Sequence, residues 1–129
     1  MPLQDLMNDG SMFSEVARQM PFPLILYNRD GVVEMANAIF LKETELSDDD
    51  VKNGKVSIMK TEHEELLEAL MMVFRRNTAI VNGLDQPLDD FCPSGSHANP
   101  GSYKCAVVFP YYGDIPILYG IAVFFPMEI

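Results

Sequence analysis

The stretch that decides the fold is Leu24-Ile25-Leu26-Tyr27-Asn28-Arg29-Asp30-Gly31-Val32-Val33-Glu34-Met35-Ala36-Asn37. Two short β-rich runs, 24–27 and 32–36, flank a turn in which Gly31 can adopt positive φ, so the stretch predicts a β-hairpin. Pro21-Phe22-Pro23 stops any helix arriving from the N-terminal side. Asn37 can start a helix through Phe40 and Leu41, its side-chain oxygen accepting from a backbone N–H one turn on.

Before the hairpin, Leu3, Leu6, Met7, Phe13, Val16, Ala17 and Met20 recur at helical spacing. Asn8-Asp9-Gly10-Ser11 breaks the pattern, which predicts two short helical pieces, the second beginning near Ser11. After the hairpin, Ser47 followed by Asp48, Asp49 and Asp50 reads as a cap with favourable charge in a first turn, ended by Asn53-Gly54. Residues 61–76 predict the longest helix. Thr61 and Glu64 make a capping box, and Leu66, Leu67, Leu70, Met71 and Phe74 line one face. Arg75 and Arg76 suit the C-terminal end of the dipole, and Asn77 can close it. Strands follow at 78–81, 103–109 and 117–125, with a connection at 85–102 long enough to be either functional or disordered.

A helical block between two groups of strands implies an α+β fold with one antiparallel sheet. Cys105 to Phe109 and Ile121 to Phe125 are continuously apolar, where a strand with one wet face should alternate. Both faces of the sheet are therefore expected to be covered, one by the central helices and the other by the N-terminal helix, a second subunit, or both.

The chain has 129 residues, 48% of them apolar, and its 9 basic and 19 acidic residues give a net charge of −10. That balance argues against nucleic acid or an anionic membrane as the partner, because both repel it. No apolar run approaches the ~20 residues of a membrane span. The start, Met1 to Asp5, lacks the basic and apolar stretches of a signal peptide, and two cysteines make no disulfide framework. The expectation is a cytoplasmic, reduced protein with a helical segment at 1–20 and one domain at 21–129.

The hairpin, then Asn37 and Phe40, then the helix at 61–76 and three terminal strands resemble a PAS domain in residues and in order, over residues 21–126. The resemblance implies a five-stranded antiparallel sheet of order 2-1-5-4-3, helices on one face around a small pocket, and an N-terminal helix on the outer face. It implies a sensory or dimerisation module of signal transduction, passing its state to a kinase or regulator. Two departures stand out. Glu45-Leu46-Ser47 lacks the Gly many PAS domains carry there, and Phe125 to Ile129 lacks the Asp-Ile-Thr-like exit.

Chemistry-bearing residues are few. His63 stands on the helix from which PAS domains that bind haem recruit a ligand, but it falls in the first turn, off the Leu66/Leu67/Leu70 face, and reads as a solvated helix-start histidine. A flavin-adduct or coumaryl chromophore needs a Cys before the long helix; residues 38–60 hold none. Cys105 reads as a small core residue and Cys92 as a loop thiol. Asp48-Asp49-Asp50 lacks the ligand spacing of a calcium loop, and no Cys/His spacing suits a metal. His97, between Ser94 and Ser96, lies in a Gly/Ser/Pro loop that cannot hold a catalytic base in place unaided. No catalytic residue and no metal site is expected.

What remains is an apolar interior. Ile25, Tyr27, Phe40, Leu67, Leu70, Met71, Phe74 and Val107 would line it, as core residues first and ligand contacts second. Gly31 and Asn37 are expected to be structural. Leu3, Leu6, Met7, Phe13, Val16 and Met20 are expected to form a homodimer interface with the outer sheet face. Three functions stay open: a sensory or regulatory module with a small-molecule ligand, a ligand-free interaction module, and, least supported, a small α+β enzyme, since no inward position carries a carboxylate or His.

Overall fold

The structure, a computed structural model, describes residues 12–93, 95, 100–111 and 117–129, with the side chains of 12–14 outside the description. Helix α1 (Met12–Gln19) precedes strands β1 (Leu24–Asn28) and β2 (Val33–Ala36). Helices α2 (Ala38–Thr44), α3 (Asp48–Lys52) and α4 (Glu64–Met72) follow, then β3 (Ala79–Asn82), β4 (Cys105–Pro110) and β5 (Tyr119–Phe125). The five strands form one antiparallel sheet of order β2-β1-β5-β4-β3, the order the resemblance implies.

The hairpin forms as its residues dictate. Asn28 Oδ1 accepts from the Asp30 and Val32 amides, and Gly31 takes φ +85°. A side chain at Gly31 would also press on Met59 and Ile58, whose segment joins the hairpin through the Ile58 N–H to the Gly31 carbonyl, 2.8 Å. A bulge at Glu34 shifts the register between β1 and β2.

Asn37 caps α2 and does more. Its Oδ1 accepts from Phe40 N at 3.0 Å and Leu24 N at 3.1 Å. Its Nδ2 donates to the Phe22 carbonyl at 2.7 Å and the Ala17 carbonyl at 3.5 Å. One amide thus ties α1, the start of β1 and α2 together, with every donor and acceptor used. Ser47 and Asp50 form a reciprocal capping box on α3. The Ser47 amide hydrogen bond holds the Asp50 carboxyl below its ordinary range.

The longest helix is shorter than the sequence predicts. It begins at Glu64, not Thr61, and its last turn tightens into a 3-10 turn, Val73–Arg75, that ends at Arg76 in the left-handed region (φ 65°) rather than at Asn77. The Thr61–Glu64 capping box does not form. Thr61 closes the preceding 3-10 turn, Ile58–Lys60, in extended backbone, so its hydroxyl turns to Asp90 at 3.2 Å. Asp90 Oδ2 also accepts from Glu62 N at 3.0 Å. A carboxylate 28 residues away in sequence thus stands at the start of α4, where the dipole favours it. It comes from a 3-10 helix, Pro87–Phe91, whose Pro87, Leu88 and Phe91 are buried. The described part of the 85–102 connection is therefore packed structure.

Two apolar clusters divide at the sheet. On the inner face, Ile25, Tyr27, Ala106, Val108, Ala122 and Phe124 meet Phe40 from α2, Leu66, Ala69 and Leu70 from α4, and Leu88 and Phe91. On the outer face, Leu24, Leu26, Ile121 and Val123 meet Ala17 of α1, with Met20, Phe22, Met35, Phe109 and Phe125 around them. Both faces of β5 are covered, as its continuously apolar sequence requires.

Candidate functional site

The expected ligand pocket is the space between sheet and α4, and its own side chains occupy it. Tyr27, next to the end of β1, is fully buried and donates to the Leu70 carbonyl at 2.6 Å. Burial pushes its hydroxyl far above the ordinary tyrosine range. Its ring meets Phe74 edge-on, centroids 5.9 Å apart, and lies against Gly120. A Cβ at Gly120 would come within 2.6 Å of that ring and 2.7 Å of Val73, so Gly120 is a close-approach position. Phe40 packs edge-on against Phe91 at 5.5 Å.

The eight expected lining residues do not share one surface. Ile25, Tyr27, Phe40 and Leu70 are fully buried on the inner face. Leu67, Met71 and Phe74 are half-buried at its margin, because Leu66, Ala69, Leu70 and Val73 are the stripe that faces the sheet. Val107 is a correction. It pairs with Val123, and strand parity puts it on the outer face, between the inward Ala106 and Val108. A continuously apolar strand carries no alternation from which that parity could be read.

His63 lies at the start of α4, half-buried, with Nε2 3.8 Å from Asp90 Oδ2. It lines a surface groove with Glu64, Glu65 and Asn82, whose floor reaches the edge of the inner cluster at Leu84. Cys92 and Cys105 are free, and burial pushes both thiols up. Among the described residues no three His, Cys, Asp or Glu side chains stand where they could hold a metal ion, and no helix is long and apolar enough to cross a membrane. The end of the long connection is fastened to α2 by Glu43, which accepts from Gly101 N and, at 3.1 Å, from Tyr103 Oη. Burial first and Glu43 second push the Tyr103 hydroxyl up to about 12.

Of the expected interface residues, Leu3, Leu6, Met7 and the Phe13 side chain lie outside the described residues, as do His97, Ser94 and Ser96. Val16 is 48% exposed on α1. Met20 packs against the outer cluster. Among the described side chains of α1, Ala17 is the one buried on the sheet, and its small side chain lets the helix approach closely. Among the described residues the outer cover stops short of β3, where Ile80, opposite Val107, is 53% exposed.

No protein-family model matches the chain, and no curated protein matches it. Solved structures do. It is similar to a sensory box sensor histidine kinase from Vibrio cholerae, at 14% identity and TM-score 0.59, over 98% of each chain. It is similar to the PAS domain of an HTR-like protein from Haloarcula marismortui, at 14% identity and TM-score 0.58, over 95% of this chain and 94% of that one. The PAS domain of Bordetella pertussis BvgS aligns at 14% identity and TM-score 0.56, over 99% and 88%. The chain has the PAS fold across nearly its whole length.

Proposed function

We propose that this chain is a PAS-type sensory or regulatory module of signal transduction that works through protein contacts, as a homodimer joined by α1 and the outer sheet face and in contact with a kinase or regulator. The observation that carries this reading is the pairing of a PAS fold with an inner face filled by its own side chains: Tyr27 bonded to Leu70, pressed on Gly120 and edged by Phe74. A filled interior supports the ligand-free form of the module over one that encloses a small molecule. Among the described residues the buried polar side chains are Asn37, Thr44 and Thr61, none of them a carboxylate or His, which favours a non-catalytic role. Two free thiols fit the cytoplasm.

The outer face supplies the interaction surface. Phe22 and Phe125, with rings 4.8 Å apart, and Phe109 are half-buried around the outer cluster, and Val16 and Ile80 are exposed beside it. Light scattering of the full chain at tens of micromolar tests this. The reading expects a dimer that Val16→Glu and Ile80→Glu weaken. A monomer at every concentration would overturn it.

A further inference from the structure

The edge of the sheet at β2 is half closed and half open. Near the turn, Val33 N–H donates to the Val56 carbonyl at 2.9 Å and Val32 bridges Ser57, so residues 56–57 cover that part. Past the Glu34 bulge the pairing to β1 resumes, with Met35 opposite Leu26 and Ala36 opposite Ile25. Asn37 N–H donates to the Leu24 carbonyl. In an antiparallel ladder the residue before such a pair turns its N–H and C=O to the other side. Ala36 therefore presents one donor and one acceptor away from β1, and among the described residues nothing pairs with them.

Ala36 lines a groove of about 290 Å³ between α1 and α2. Ala17, Met35 and Leu41 give it apolar walls, and Arg18 and Asp48 stand at its rims. The two charges differ. Arg18 is already paired with Glu15 at 3.0 Å. Asp48 is exposed beside Glu45 and Asp49, in a chain of net charge −10.

The geometry points to a docking site for a short extended peptide of basic character, which adds to the β2 edge. One peptide residue exchanges both main-chain hydrogen bonds with Ala36. Its side chain lies against the apolar walls, and a neighbouring Lys or Arg reaches Asp48. Main-chain bonds supply affinity and the flanking positions supply selectivity, as in other strand-addition complexes. An unpaired edge is the part of a sheet most ready to take another chain. The groove borders the outer face, sharing Ala17 and Met35 with its cluster, but Val16 and Ile80, whose Glu variants test the dimer, do not line it, so the two readings can fail independently.

The test is an NMR titration of the ¹⁵N-labelled full chain with acetyl-Lys-Ala-Val-Lys-amide. The expected result is saturable shifts centred on the amides of Ala36, Asn37 and Leu41. The same peptide N-methylated at Val should bind about tenfold more weakly, as loss of a main-chain bond requires. Acetyl-Glu-Ala-Val-Glu-amide should bind more weakly still. Ala36→Pro removes the outward N–H and should abolish the shifts; should that variant not fold, Asp48→Lys should reverse the preference between the basic and acidic peptides. Equal binding of the N-methylated peptide, shifts centred elsewhere, or no shift at millimolar peptide would overturn the proposal. Shifts at Ala36 that follow dilution of the protein alone would also overturn it, in favour of a second copy at the edge.

Discussion

The two faces of the sheet carry similar apolar sequences and are finished differently. The inner face is closed by α2, α4 and the 3-10 helix Pro87–Phe91, and its largest side chains, Tyr27, Phe40, Phe91 and Phe124, are fully buried. The outer face is closed over β1 and β5, where Leu26 and Ile121 are buried, and thins toward β3, where Ile80 is half in water. A face that is filled fixes the fold. A face that is covered in its middle and left apolar at its rim has surface to offer a partner.

The largest effect expected on this contrast is at Phe40. Phe40→Ala should cost about 3–5 kcal/mol in denaturant unfolding, the range for emptying a buried aromatic site, without changing the oligomeric state. A cost under about 1 kcal/mol would mean that the inner face is loosely packed after all. Asn37→Ala comes next, at about 2–3 kcal/mol, since it removes a cap and leaves Leu24 N–H and the Phe22 carbonyl unpaired. Asn37→Asp keeps the acceptor and should cost less.

Asp90→Ala should cost about 1–2 kcal/mol by stripping the start of α4 of its carboxylate. Amide exchange should then rise at Glu62 and His63; unchanged exchange there would show that the cap is idle. Tyr103 gives a test in pH. Its hydroxyl is raised in the folded state, so its contribution is full below the ordinary tyrosine range near 10 and is lost as pH rises through about 12. Wild type should lose stability relative to Tyr103→Phe across that window, and parallel curves would contradict the burial of the hydroxyl. The smallest effect is at Ile80. Ile80→Ser should change stability by no more than about 0.5 kcal/mol yet weaken self-association, the reverse of the pattern at Phe40.

Much of this was legible in the letters. The hairpin, the Gly31 turn, the Asn37 cap and the order of elements follow from local chemistry, and local chemistry is what a sequence displays. The strand order came with the resemblance that those residues support. What stayed hidden was long-range or a matter of parity. Thr61 and Glu64 look like a complete capping box, but Asp90 takes the hydroxyl, and no spacing rule links positions 61 and 90. Val107 sits in an unbroken apolar run, so only pairing with Val123 tells its face. Ala17 is the least conspicuous apolar residue in α1, yet among the described side chains of that helix it is the one buried on the sheet. The open edge at Ala36 is a backbone property that no side-chain pattern records.

Native mass spectrometry of the full chain, purified without added ligands, tests the central claim most directly. A module with a filled interior should appear at the polypeptide mass of 14.5 kDa or whole multiples of it. A stoichiometric small-molecule adduct that is lost on denaturation, and lost from Gly120→Ala, would contradict it.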